Sequence, residues 1–161
     1  MNSASRAPAD SVDNLINGFD RALKTLTGGR SAARENPAQQ IDEAELTDPE
    51  KSHIGGLMRV NHTGEVCAQA LYEGQALTAK QDSAKKTLLD AAAEEQDHLS
   101  WCAQRLEELD QRPSVFDPLF YGVSFALGAG AGLLGDRMSL GFVEATDCLL
   151  YTSDAADEHS C

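Results

Sequence analysis

The stretch Glu95-Gln96-Asp97-His98-Leu99 carries a Glu-x-x-His pair inside a row of residues that is otherwise apolar. A spacing of three residues places Glu95 and His98 on one face of an α-helix, which is the arrangement that helical bundles use for metal ligands. An ionised carboxylate in an apolar row is costly unless a cation or hydrogen-bond donors compensate its charge. The pair therefore favours a metal site built on a helix.

The apolar row extends from this pair in both directions, in steps of three and four residues that are typical of a helix with one buried face. Its members are Leu88, Ala92, Glu95, Leu99, Cys102, Leu106 and Leu109. An earlier row of the same kind follows a helix start at Thr47-Asp48-Pro49-Glu50 and comprises Ile54, Met58, Asn61, Glu65, Ala68, Tyr72 and Gln75. Both rows contain a carboxylate, so we expect two adjacent long helices with Glu65 facing Glu95 and His98.

Two further helices are expected outside these rows. Apolar residues at helical spacing over 15–26 predict a short amphipathic helix, after a polar and disordered stretch over residues 1–10. A third long segment, from Pro118 to Asp136, carries no charge in between and lies at the lower edge of transmembrane length. We interpret it as a buried or membrane-touching helix whose Gly128-x-Gly130-x-Gly132 run allows close packing. No stretch predicts a β-strand, so the fold class is all-α.

Composition restricts the possible functions. The chain has 161 residues, 13 basic and 26 acidic, and a formal net charge of −13. One domain is expected at this length, and nucleic-acid binding is disfavoured because phosphate contacts need clustered basic residues. The four cysteines do not form a Cys-x-x-Cys pattern, and the first 30 residues do not have the pattern of a signal peptide. We therefore expect free thiols and a location in the cytosol or on a cytosolic membrane face.

Each candidate residue also has a simpler interpretation. Glu94 and Asp97 flank the pair, so Glu95 and His98 could belong to a solvated acidic face. His62, one turn before Glu65, is interpreted as a structural or supporting histidine rather than a ligand. A non-catalytic bundle, in which the same Glu and His residues form a buried hydrogen-bond network or contact a partner helix, is the alternative function.

Three segments resemble the demethoxyubiquinone hydroxylases of bacterial ubiquinone biosynthesis. They are Arg59-Val60-Asn61-His62-Thr63-Gly64-Glu65, the Glu95 to Leu99 stretch, and Gly135 to Val143. The resemblance implies a ferritin-like antiparallel bundle that holds two Fe ions and uses O₂ to hydroxylate the ring of a polyprenyl quinol. It also implies that Glu65, Glu95 and His98 are metal ligands, and that the ligand of the third bundle helix is Asp147 or, one turn earlier, Glu144.

The family pattern then breaks off, since nothing after Asp147 supplies the second Glu-x-x-His of the fourth bundle helix. Residues 148–161 resemble translated sequencing-library adapter, so we expect residues 11–147 to form a partial bundle with about three long helices and an incomplete two-iron site. On that basis this polypeptide is expected to be inactive or poorly folded. The resemblance further implies a peripheral location on the cytoplasmic face of the inner membrane and a lipid-binding accessory protein, while a homo-oligomer could complete the site.

Overall fold

The computed structural model of the chain describes residues 11–28, 31–41, 45–137, 139–141 and 143. Within these residues the chain is helical and contains no β-strand, which confirms the predicted all-α class. The elements are α1 (Ser11–Thr27), a short 3-10 helix (Pro37–Gln40), α2 (Asp48–Thr78), α3 (Asp82–Glu108) and α4 (Asp117–Leu133). The predicted ligands Asp147 and Glu144 and the predicted domain boundaries at residues 10 and 147 lie outside the described residues and stay predictions.

Helix α2 begins where the sequence predicts it. The carboxylate of Glu50 accepts hydrogen bonds from the backbone N–H and the hydroxyl of Thr47, at 2.8 and 2.6 Å. These bonds fix the entry into the first turn, and they lower the pKa of Glu50. A three-residue connection then leads from Thr78 into α3, and such short connections produce antiparallel neighbours.

Helix α3 packs against α2 along the second half of α2. The core at this interface consists of Ala68, Leu71, Tyr72, Ala76, Leu88 and Ala92. By contrast, Ile54 and Met58 at the start of the predicted α2 row are only half-buried, and Asn61 is exposed. The row is therefore a buried stripe only from Ala68 onward, and the half that contains Glu65 stays partly open.

Helix α4 packs on α2 through glycines and runs parallel to it. A side chain at Gly128 would meet the carbonyl oxygen of Leu71, and one at Gly74 would meet that of Phe125. The backbones of the two helices thus touch directly, which confirms close packing as the role of Gly128. Gly130, in the same run, is exposed and has open space around its Cα.

Helix α1 lies where an amphipathic helix is predicted, but the large apolar side chains that the structure describes on it point outward. Ile16, Phe19 and Leu23 are each more than half exposed, with Phe19 at 71%. The described side chains that meet the bundle are small or polar, since Ala22 packs near Tyr121 and Thr25 is buried. Among the described residues, no helix combines the length and apolar character that are needed to cross a bilayer.

Candidate metal centre

Glu65 of α2 and the Glu95 and His98 pair of α3 lie together. One carboxylate oxygen from each glutamate and one ring nitrogen of His98 lie within 4.8 Å of one another. The Nδ1 atom of His98 is 3.3 Å from a carboxylate oxygen of Glu95 and 4.0 Å from one of Glu65. This is the juxtaposition that the two helical rows predict.

The three side chains are only partly shielded from solvent. The exposed fractions are 24% for Glu65, 15% for Glu95 and 43% for His98. All three therefore border a surface rather than a closed core, in keeping with the partial exposure of the first half of α2. A groove of about 780 Å³ begins at His98 and includes Met58, Trp101 and Cys102 among its lining residues.

The electrostatics of the site favour a cation. Burial raises the pKa of Glu65 to about 9, and the hydrogen bond and negative charge of Glu95 add to this effect. Two carboxyl groups this close cannot both ionise without compensation, so a proton or a metal ion must neutralise part of the charge. Burial and the charge of Glu65 also raise the pKa of the Cys102 thiol to about 11, so this thiol stays protonated near neutral pH.

The donor set fits iron. Carboxylate oxygens and an imidazole nitrogen are the ligands of the carboxylate-bridged metal sites of helical bundles, and they also accept Mn²⁺ or Zn²⁺. The raised pKa of Glu65 is the structural sign of this fit, because it marks a carboxyl group whose ionised form the surrounding protein does not stabilise without a cation. Among the described residues, these three are the His, Cys, Asp and Glu side chains that lie close enough together to share one metal ion.

Comparison with known proteins identifies the family. A sequence model described as "Ubiquinone biosynthesis protein COQ7" matches residues 52–150, which is more than half of the chain. The chain belongs to the COQ7 family. The family match includes all three residues of the metal group, and it extends through Glu144 and Asp147.

Curated relatives are named 3-demethoxyubiquinol 3-hydroxylase. The protein of Acinetobacter baylyi is 56% identical over 137 residues, which cover 84% of this chain and 64% of the relative. The Marinomonas protein is 55% identical, and the match covers 84% of this chain and 65% of the relative. The Chromohalobacter salexigens protein is also 55% identical, and the match covers 84% of this chain and 64% of the relative. The chain thus spans less than two thirds of the length of these relatives. No solved structure matches the chain at a significant level.

His62 lies outside the metal group of this COQ7-family chain. Its ring is buried, and its Nδ1 atom is 3.1 Å from a carboxylate oxygen of Asp117, at the start of α4. Burial lowers the pKa of His62 although the nearby Asp117 opposes this shift. Thr63 donates a hydrogen bond of 2.7 Å to the same carboxylate. His62 therefore links α2 to α4, in agreement with its interpretation as a structural histidine.

Asp97 and Glu73 are among the buried carboxylates that the sequence pattern does not identify. Asp97 belongs to a solvated acidic face only in the alternative interpretation of the pair, and the structure buries it, whereas its neighbour Glu94 is exposed. Glu73 was not singled out, although it is the only charged residue between Glu65 and Lys80. It is buried, it accepts a hydrogen bond of 2.7 Å from the hydroxyl of Tyr121, and it lies 3.8 Å from Arg21 of α1. A lone charge inside a long uncharged helical run was the available signal for Glu73.

Proposed function

We propose that this chain represents a 3-demethoxyubiquinol 3-hydroxylase, a di-iron monooxygenase of ubiquinone biosynthesis. The observation that carries the proposal is the convergence of Glu65, Glu95 and His98 within a chain that belongs to the COQ7 family. The substrate would be a polyprenyl quinol whose ring gains one hydroxyl group from O₂. The names of the curated relatives support this substrate class.

The residues of the site would serve as metal ligands. Glu65 and Glu95 would bind through carboxylate oxygens that face each other across α2 and α3, and His98 would add a nitrogen ligand from the same helical face as Glu95. Bound iron would supply the redox chemistry with O₂ that the side chains themselves lack. The protein contributes the position of the ligands and the partial exclusion of water, which strengthens their attraction to a cation. We propose Asp147 or Glu144 as a further ligand.

The polyprenyl tail of the substrate suggests a peripheral contact with a membrane surface. Two helices expose apolar side chains that could enter the boundary of a bilayer. They are Ile16, Phe19 and Leu23 on α1, and Leu119, Phe120, Val123 and Leu127 on α4. The cytoplasmic face of the inner membrane, a lipid-binding accessory protein and a homo-oligomer belong to this proposal as well.

Iron content of purified wild-type protein and of Glu95→Ala tests the proposal. Wild type should retain iron after anaerobic loading and desalting, and Glu95→Ala should lose it. Glu94→Ala is the matched control, because Glu94 is the exposed neighbour on the same helix and should leave the iron content unchanged. If wild type folds without iron and Glu95→Ala behaves identically, the non-catalytic bundle with a Glu and His hydrogen-bond network is the better account.

A further inference from the structure

The segment before α2 is attached to α3 at the buried carboxylate of Asp97 and, further along α3, by a hydrogen bond of 3.4 Å from the side chain of Asn36 to that of Gln104. Asp97 is 4% exposed, and its Oδ1 accepts a hydrogen bond of 2.6 Å from the backbone N–H of Ala33. Its Oδ2 accepts one of the same length from Nε of Arg34. Two charge-assisted bonds to one buried carboxylate fix both the backbone and the side chain of this segment.

The contacts continue from Arg34 to the metal group. The guanidinium of Arg34 lies over the ring of Trp101, 5.6 Å from its centroid, as in a cation–π contact. The ring of Trp101 in turn lies 5.4 Å from the ring of His98. A continuous series of contacts therefore runs from Asp97 through Arg34 and Trp101 to a proposed metal ligand.

His98 needs such support because it is the most exposed of the three proposed ligands. Its Nδ1 atom lies near Glu95 and Glu65, which are themselves proposed ligands. An imidazole that can rotate loses part of its affinity for a metal, since its ring must be ordered on binding. The ring of Trp101 packs beside the imidazole, and the guanidinium of Arg34 packs on the indole in turn.

We infer that Asp97 and Arg34 are positioning residues for His98, which act through the ring of Trp101. The inference rests on the proposed function in one respect, namely that His98 binds a metal ion. It adds that the segment around residues 33–34 is energetically coupled to metal binding. Such coupling is reciprocal, so a bound metal also strengthens the attachment of this segment to α3.

The chain contains a built-in reporter for this coupling. Trp101 is the only tryptophan in the sequence, so the intrinsic tryptophan fluorescence reports on this site alone. Titration with Co²⁺ should quench the fluorescence as the ion binds beside His98. The same titration can be followed independently by the visible absorption of the cobalt complex.

Three variants test the inference. Asp97→Asn keeps the size of the side chain and an oxygen that can accept from Ala33, but it removes the charge that holds Arg34. Arg34→Gln removes the guanidinium, and Arg34→Lys keeps the positive charge but loses the planar group above Trp101. The matched control is Asp90→Asn, which removes an exposed pair with Lys86 on the same helix, away from the site.

We expect Asp97→Asn and Arg34→Gln each to weaken Co²⁺ binding by between about 2-fold and about 30-fold, and Arg34→Lys to have an intermediate effect. The double variant should bind no more weakly than the worse single variant, because both changes break one series of contacts. Asp90→Asn should bind as wild type does. Bound Co²⁺ should also slow tryptic cleavage after Arg34 in wild type and not in Asp97→Asn.

The outcomes separate the inference from the proposed function. If His98→Ala abolishes Co²⁺ binding while Asp97→Asn and Arg34→Gln bind with wild-type affinity, the metal site stands and the positioning role is refuted. Additive losses in the double variant would likewise contradict action through one series of contacts. If folded wild type does not bind Co²⁺, both the proposed metal site and the inference fail.

Discussion

The two interfaces of α2 are built on opposite principles. Toward α4, the glycines bring the two backbones into direct contact, so no side chain fits between them at Gly128 or Gly74. Toward α3, the part of the interface that contains Glu65 and Glu95 places two carboxyl groups against each other and leaves them partly open to solvent. The first interface stabilises the fold through close packing, and the second brings together two carboxyl groups whose joint ionisation destabilises the fold unless a cation binds.

This difference determines which substitutions each interface of α2 tolerates. A region of direct backbone contact tolerates almost no added volume, because neither backbone can move without separating the helices. A region of unbalanced charge tolerates neutralising substitutions and loses only the ability to bind a cation. Substitutions at the α4 interface should therefore lower the free energy of unfolding without weakening metal binding. Substitutions at the α3 interface should weaken metal binding without destabilising the metal-free protein.

The largest effect is expected for Gly128→Ala. A Cβ atom at this position would lie 2.1 Å from the carbonyl oxygen of Leu71, so α2 and α4 would have to move apart. We expect a loss of about 3 kcal/mol in the free energy of unfolding, measured by urea denaturation. A stability close to that of wild type would mean that the two backbones are not in contact.

A second large effect is expected for Glu65→Gln, which should lower metal affinity and raise the stability of the metal-free protein. Loss of the carboxylate should weaken Fe²⁺ or Mn²⁺ binding by about 100-fold, while the metal-free protein should become more stable near neutral pH, because Gln, unlike Glu65, does not have to take up a proton when the chain folds. Isothermal titration and urea denaturation measure the two quantities. A fall in both metal affinity and metal-free stability would contradict the account of the α3 interface.

The pH dependence of the metal-free protein tests the same carboxyl group. The pKa of Glu65 is raised from 4.5 to about 9, so the folded state holds a proton that the unfolded state releases above pH 4.5. The contribution of this group to stability is therefore complete below pH 4.5 and is lost progressively as the pH rises toward 9. The stability difference between Glu65→Gln and wild type should grow from pH 5 to pH 8. A constant difference would contradict the raised pKa.

A moderate effect is expected for Tyr121→Phe, near the α4 interface. The hydroxyl of Tyr121 donates to the buried carboxylate of Glu73, which lies close to Arg21 of α1. Loss of this bond should cost about 1 to 3 kcal/mol of unfolding free energy and leave metal affinity unchanged. A change in metal affinity would show that the two interfaces of α2 are coupled.

The smallest effect is expected for Gly130→Ala, the control for Gly128→Ala. Position 130 is on the exposed side of α4, and an added methyl group meets no atom within 4 Å. Alanine should stabilise the helix by about 0.5 to 1 kcal/mol, because glycine loses more conformational freedom on folding. Thermal denaturation would detect this as a small rise in Tm, and a loss of stability would indicate an unrecognised contact.

The sequence predicts those features that local spacing determines. The start of α2 directly after Thr47 follows from capping, and the alignment of Glu65 with Glu95 follows from helical period. The orientation of α1 does not, because periodicity identifies an apolar face but not the element that this face meets. Periodicity alone therefore does not distinguish an apolar stripe that faces the bundle from one that faces outward, as the described side chains of α1 do.

Contacts between distant parts of the chain are not predicted by the sequence pattern either. Asp97 and Arg34 are separated by 63 residues, and no local pattern relates an acidic residue of α3 to a basic residue of the preceding segment. The partnership of Glu73 with Tyr121 spans 48 residues in the same way. Sequence spacing therefore predicts ligands that share a helix or neighbouring helices, and it misses the buried pairs that join separate segments.

The central claim is that Glu65, Glu95 and His98 are tolerated together because they bind a cation. Its most direct test is a crystal structure of the chain loaded with Mn²⁺, with an anomalous difference map calculated at a wavelength where manganese scatters strongly. The account predicts an anomalous peak within coordination distance of both carboxylates and of the His98 ring. A folded chain in which these side chains point into solvent, with no peak between them, would contradict it.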